Sequence, residues 1–315
     1  MAETVVATQY GGPDVLSVVE EQVPEPGPGE VTVRVKAIGV NPIDYKLYSG
    51  AFGADPDRLP MRLGHELAGV VSAVGPEAAG PAGPLRVGDE VVGYPVPGAY
   101  ASEVTAGARA FVPKPPGLGW EAAAGLLLAG ATALHLVVAT SVEAGTTVLV
   151  HGASGGVGYL AAQLAAARGA RVLGTAGPAR HDRLRAHGVE PLTYGAGLAD
   201  RVRALAPGGV DAAIDTVGTD EAIDVSLELV ADRARIASIA GFQRGAQAGI
   251  KLLGSAPGAD PGTEVRQNAW RELLPLAADG RLDVVVSRTF ALKDTAAAHA
   301  YLAEGHAGGK VVLLP

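Results

Sequence analysis

The stretch Val148-Leu149-Val150-His151-Gly152-Ala153-Ser154-Gly155-Gly156-Val157-Gly158 constrains this chain more than any other, because an apolar strand runs into a glycine-rich turn and then a helix. In that helix Val157, Leu160, Ala161 and Leu164 share one face, so the turn sits at a helix N-terminus. Unpaired amides and the helix dipole there favour an anion such as pyrophosphate. Gly155 permits the tight turn, Gly156 lets a ligand approach the backbone, and Gly158 lets the helix pack on its strand. The fingerprint is Ala153-x-Gly155-x-x-Gly158, with alanine in place of the usual first glycine. Its weight therefore comes from the strand–turn–helix context, which also disfavours the alternative of a turn that serves packing only.

The chain changes texture ahead of this loop. Strand-like runs such as Val31-Thr32-Val33-Arg34-Val35-Lys36, Leu67 to Val74 and Glu90 to Gly93 come first, broken by Pro- and Gly-rich turns such as Pro24-Glu25-Pro26-Gly27-Pro28-Gly29. That is all-β punctuation. Past Pro113-Lys114-Pro115-Pro116-Gly117, Ala/Leu helices alternate with brief strands at Thr146–His151, Arg171–Thr175, Val210–Asp215, Arg235–Ala240 and Ile250–Leu253. This is the pattern of a parallel sheet covered by helices. Val284-Val285-Val286 and Val311-Val312-Leu313-Leu314 return to β texture, so the last strand is expected to rejoin the first domain. The expected division is a β domain over residues 1–117, with 287–315 returning to it, and an α/β domain over 118–286.

The 315 residues, 48% apolar and 18% charged, can bury two cores. With 25 basic against 33 acidic residues, a net charge of −8 and no basic block, the composition argues against nucleic-acid or anionic-membrane partners. The absence of cysteine removes disulfides, thiolate zinc sites, iron–sulfur clusters and cysteine nucleophiles, and fits a cytoplasmic protein. Met1 leads into Thr4-Val5-Val6-Ala7-Thr8 without the basic start or long apolar core of a signal peptide. The most apolar run, Trp120 to Thr140, carries Glu121 and His135 and reads as buried helix rather than a membrane span.

An NAD site places an acidic residue about 20 residues beyond the turn, on the ribose hydroxyls. No Asp or Glu occurs between Ala153 and His181. Gly177 leaves room, and Arg180 can form charge-assisted bonds to a 2′-phosphate that a carboxylate would repel. The expected cofactor is NADPH; the alternative for Arg180 is a solvated loop charge.

Five runs carry a wider likeness: Gly39-Val40-Asn41-Pro42-Ile43-Asp44-Tyr45-Lys46, Val87-Gly88-Asp89-Glu90-Val91, Ala129-Gly130-Ala131-Thr132-Ala133, the Gly155–Gly158 loop, and Gly308-Gly309-Lys310-Val311-Val312-Leu313. In them the chain resembles the medium-chain dehydrogenase/reductase superfamily, specifically its zinc-independent quinone oxidoreductase-like branch, over nearly its whole length. The resemblance implies a GroES-like β-barrel domain, a Rossmann domain, an active cleft between them, and a homodimer joined through an edge strand of the Rossmann sheet. It assigns Gly152, Ala153, Ser154, Gly155, Gly156, Val157 and Gly158 to the cofactor, together with Thr175 and Val217, and places Thr132 and the loop Ser238-Ile239-Ala240-Gly241 near the nicotinamide. Tyr194 and Lys310 are implied at the adenine-phosphate end. The family often has serine where Gly177 stands, which leaves more of the 2′-phosphate contact to Arg180 and Tyr194. Gly64-His65-Glu66 resembles the His-Glu pair of the zinc alcohol dehydrogenases, but Asn41 stands where those enzymes carry a ligand cysteine, and their cysteine-rich lobe is missing. No metal is expected, and His65 reads as a cleft-lining or core histidine.

Without a metal, the acceptor must carry much of its own activation. A quinone or α,β-unsaturated ketone spreads incoming charge over its π system and needs only a hydrogen-bond donor and a proton source. Asn41 offers an amide, Tyr45 a phenol and Lys46 an ammonium, in the segment where the family's substrate contacts cluster. Asp44 is expected either to hold Lys46 or to cap the helix that Asn41-Pro42-Ile43-Asp44 begins. Phe52 replaces a family tyrosine and can stack but not donate. The expectation is an NADPH-dependent reductase of quinones or activated enone double bonds, acting by direct hydride transfer. A biosynthetic enoyl reductase and a nucleotide-binding protein with little turnover are the alternatives.

Overall fold

The long strand Glu30–Val40 is the spine of the first of two units. It pairs antiparallel with Leu67–Val74, Glu103–Gly107 and the final strand, Lys310–Leu314, which does rejoin this sheet. Glu90–Gly93 and Phe111–Pro113 extend one side of the sheet, and Val286–Ala291, parallel to the final strand, extends the other. A three-stranded sheet of Leu16–Glu21, Ala2–Ala7 and Met61–Arg62 is tied to it through residues 100–102: Val5 N–H donates to Tyr100 O, Ser102 N–H to Glu3 O and Val35 N–H to Ser102 O. The strands wrap one core that includes Val33, Ile38, Leu67, Val91, Tyr100, Phe111 and Val311. Arg34 and Lys36 face out between buried valines, as the alternation requires, but Ala37 to Val40 are buried on both faces, and there the alternation stops.

The structure, a computed structural model, describes residues 1–305 and 307–315. Its first unit comprises Met1–Leu128 and Leu274–Pro315, and its second Ala129–Leu273. The first unit therefore runs past the Pro-rich segment expected to end it. The reason is local: beyond the Trp120–Ala124 helix, Leu128 N–H donates to Glu66 Oε2 at 2.8 Å, which ties this segment to the β sheet.

The second unit is a six-stranded, all-parallel sheet in the order Val189–Leu192, Arg171–Thr175, Thr147–His151, Ala212–Asp215, Ile236–Ser238, Lys251–Leu252. Counted along the unit's chain, that order is third, second, first, fourth, fifth, sixth: the doubly wound Rossmann arrangement. The strand Val189–Leu192 is not among those expected, because Pro191 reads as a breaker. At the sheet edge its missing N–H costs no ladder bond. Leu149, Leu173, Ala213, Ile223 and Ile236 form this unit's core. The apolar run 120–140 divides between the helices Trp120–Ala124 and Leu127–Ala139, and no described helix is long and apolar enough to cross a membrane.

Candidate functional site

The strand Thr147–His151 gives way to the 12-residue helix Gly156–Ala167, whose N-cap, Gly155, supplies no side-chain acceptor. Its first amides are left for an anion. The turn is fixed from the neighbouring strand: Gly152 N–H donates to Thr175 Oγ1 at 3.0 Å and Ala153 N–H to Thr175 O at 2.9 Å. Thr175 is buried, so its hydroxyl shapes the loop. A Cβ on Gly158 would lie 2.2 Å from Gly152 O, and only glycine lets the helix come this close to the turn.

In a doubly wound sheet the ligand edge is the carboxyl end of the strands. Arg180 follows Arg171–Thr175 and is exposed, Tyr194 follows Val189–Leu192 and is 57% exposed, and Val217 follows Ala212–Asp215 and is 48% exposed. Ala240 and Gly241 follow Ile236–Ser238. The topology thus gathers these residues at one edge of the sheet. Thr132 lies in the Leu127–Ala139 helix, nearly buried. Two buried side chains fix the loops: Asp215, which sequence reasoning missed, and Ser238. Asp215 accepts from Val217 N–H and Gly218 N–H, both at 2.9 Å, and from Ser238 Oγ at 2.6 Å. Ser238 Oγ in turn accepts from Ala240 N–H at 3.2 Å and Gly241 N–H at 2.9 Å. Arg183 was also missed. Its Nη2 donates to Ser154 O at 3.0 Å while its guanidinium lies 4.7 Å from the Tyr159 ring centre, which puts a cation against the glycine loop. Its position three residues after Arg180, on the same stretch of helix, is the signal that could have found it.

The first unit carries the acceptor candidates on the short helix Pro42–Tyr48. Asp44 caps this helix rather than holding Lys46: Asn41 N–H donates to Asp44 Oδ2 at 2.8 Å, whereas Lys46 is exposed. Asn41 is not placed as a substrate donor. It is 2% exposed, its Nδ2 donates to Glu66 Oε1 at 2.8 Å, and its Oδ1 accepts from Lys310 Nζ at 2.5 Å. Lys310, implied at a nucleotide phosphate, is instead buried here, with its Nζ also bonded to Val40 O at 3.3 Å and Glu66 Oε1 at 3.1 Å. These acceptors account for all three ammonium protons. Tyr45 is half-buried, and burial raises its phenol pKa.

The tripeptide Gly64-His65-Glu66 grips this turn from two sides. Successive side chains point opposite ways, so Glu66 holds Asn41 while His65 Nδ1 reaches Asp44 Oδ1 at 2.6 Å. Gly64 has φ +90°, and a Cβ there would lie 2.2 Å from the Tyr100 ring. That space lets Tyr100 donate its hydroxyl proton to Asp44 Oδ2 at 2.9 Å. Behind it, His299 Nε2 lies 3.0 Å from Tyr100 Oη, and His299 Nδ1 lies 2.8 Å from Tyr48 Oη. Burial pushes the His299 pKa down to about 4, against a smaller opposing pull from Asp44. Burial also raises both tyrosines, with the Asp44 charge adding to it. For His65, burial works against the imidazolium, but the hydrogen bond and charge of Asp44, helped by Glu66, outweigh it and hold the pKa above the ordinary value.

Residues 27–141 match the family model for the alcohol dehydrogenase GroES-like domain, and residues 190–313 match that described as zinc-binding dehydrogenase. The residues present do not fit a zinc ion. Among the described residues no three His, Cys, Asp or Glu side chains are grouped as ligands, Asn41 turns N–H rather than a lone pair toward Glu66, and His65 Nδ1 is taken by Asp44. The chain is 36% identical to a quinone oxidoreductase of Pseudomonas aeruginosa, with all of both chains covered. The structure of Escherichia coli quinone oxidoreductase complexed with NADPH is 30% identical, with a TM-score of 0.85 over 99% of this chain and 100% of that one. The CurK enoyl reductase is 25% identical, with a TM-score of 0.85 over 99% of both chains. With a GroES-like unit, a doubly wound sheet and full-length relatives of this kind, the chain belongs to the quinone oxidoreductase-like branch of the medium-chain dehydrogenase/reductase superfamily.

Proposed function

We propose that the chain is an NADPH-dependent reductase of quinones or of activated C=C bonds in α,β-unsaturated carbonyls, working without a metal. The observation that carries this reading is the N-terminus of the Gly156–Ala167 helix, which has no side-chain cap, with Arg180 following the neighbouring strand and no Asp or Glu between Ala153 and His181. The loop amides from Gly152 to Gly158 would hold the pyrophosphate; Arg180 and Tyr194 would hold the 2′-phosphate end, with Arg183 adding positive charge at the loop. Thr132, Val217, Ala240 and Gly241 would line the nicotinamide end. NADPH, when bound, supplies a hydride. The second unit is thus read as the NADP-binding domain and the first as the substrate domain. There Tyr45, Lys46 and His65 are the polar groups open to an acceptor, and Asn41 positions the turn. The reading has the chain working in the cytoplasm as a homodimer. The likeness to an enoyl reductase favours, as a second reading, an enone rather than a quinone acceptor.

The test is to follow absorbance of the reduced cofactor while purified chain meets NADPH and a panel of quinones and enones. Acceptor-dependent oxidation that survives chelators is expected. Saturable NADPH binding without oxidation by any acceptor contradicts the reductase reading, and activity lost to chelators and restored by zinc contradicts the metal-free one.

A further inference from the structure

His65 is built to hold a proton and release it. Its Nδ1 is fixed on the buried Asp44 at 2.6 Å, its side chain is 28% exposed, and its Nε2 has no protein partner among the described residues. Behind Asp44 the hydrogen bonds run one way. Tyr100 donates to Asp44, so its oxygen accepts from His299 Nε2–H, and the neutral His299 ring accepts at Nδ1 from the Tyr48 hydroxyl. With Asn41 N–H on the same carboxylate, every donor is directed at Asp44, and the remaining oxygen, Oδ1, faces His65. The charged groups acting on His65 are Asp44 and Glu66; Tyr100 and His299 stand behind Asp44, Tyr45 and Tyr48 lie against the His299 ring, and Lys310 answers Glu66.

We propose that His65 is the proton donor of the reaction, giving its Nε2 proton to the carbonyl oxygen of the acceptor, with Asp44, Tyr100 and His299 as positioning residues. The proposal rests on the reductase reading. As hydride adds to the acceptor, a C–H bond forms and the displaced π pair moves onto oxygen. The Nε2–H bond of the imidazolium breaks and an O–H bond forms, leaving His65 neutral with its Nδ1 proton still on Asp44. Solvent returns the Nε2 proton at the exposed edge. A quinone gives a hydroxydienone, whose new C–H bond loses its proton to water as the second carbonyl oxygen takes one up, leaving hydroquinone; an enone gives an enol that becomes ketone in water.

Two measurements test it. Histidine titrations followed by NMR on the cofactor-free chain should show one imidazole titrating above the usual histidine value, absent in His65→Gln and lowered by about a unit or more in Asp44→Asn. If Asp44→Asn does not fold, Tyr100→Phe serves, since removing one donor from the carboxylate should move that titration up. A His65 titration at or below the ordinary value, or unmoved by these changes, overturns the proposal. In turnover, His65→Gln should lower kcat about 100-fold, leave the NADPH dissociation constant unchanged by fluorescence titration, and erase the alkaline limb of the pH profile. A kcat within about twofold of wild type with that limb retained would overturn the donor role alone. Wild-type chain that binds NADPH yet reduces no acceptor overturns the reductase reading and the donor role with it.

Discussion

Asp44 and Glu66, both fully buried, divide the polar chemistry of the first unit between them. Glu66 is answered by Lys310, Asn41 and Leu128 N–H, Asp44 by His65, Tyr100 and Asn41 N–H. Such centres hold a geometry more than they add net stability, because desolvation offsets most of the charge attraction. His299 gives a consequence that can be measured. Its folded pKa of about 4 lies below the ordinary 6.5, so the unfolded chain takes the proton first. Stability is complete above 6.5 and is lost as pH falls toward 4, on the order of 3 kcal/mol across that window. His65 has the opposite sign, its contribution being present at low pH and lost as pH rises past its raised pKa. Urea midpoints across pH 4–7 should fall more gently for His299→Gln than for wild type; parallel slopes would contradict the assignment. Most of this was not legible beforehand. Tyr48 and His299 are 251 positions apart, Tyr100 and His299 199, and Lys310 and Glu66 244, so no local pattern joins them. Asp44 as a cap could be read, since it sits three residues from Asn41.

Among the elements, the glycine loop and its flanking strand and helix were read correctly because their signal is contiguous: periodicity, glycines and helix start all lie between Thr147 and Ala167. The strand Val189–Leu192 escaped because an edge position tolerates Pro191, which a single sequence presents as a stop. The same closeness that made the loop readable makes it fragile. Gly158→Ala places a methyl against Gly152 O, so the turn must shift, and we expect NADPH affinity to fall at least tenfold, or about 1.4 kcal/mol. A thermal-shift series with NADPH should show the ligand-induced stabilisation shrink in this variant. An undiminished shift would show that the loop amides are not the anchor.

On the scale of the whole molecule, texture was enough for a β unit plus a helix-covered parallel sheet, the doubly wound arrangement was what the family resemblance implied, and the return of the final strand to the first sheet was legible in its β-rich ending. The boundary was not, since the segment up to Leu128 is held to the first sheet by contacts far apart in sequence, among them the hydrogen bond from Leu128 N–H to Glu66, 62 positions earlier. The central claim is that the second unit binds a dinucleotide by its pyrophosphate and reads the 2′-phosphate with Arg180. Calorimetric titration of the cofactor-free chain with NADPH and NADH, for wild type and Arg180→Ala, tests it most directly. One NADPH should bind per chain, about tenfold or more tightly than NADH, with that preference lost in Arg180→Ala and NADH binding nearly unchanged. Equal affinities in wild type, or no heat with either nucleotide at millimolar concentration, would contradict it.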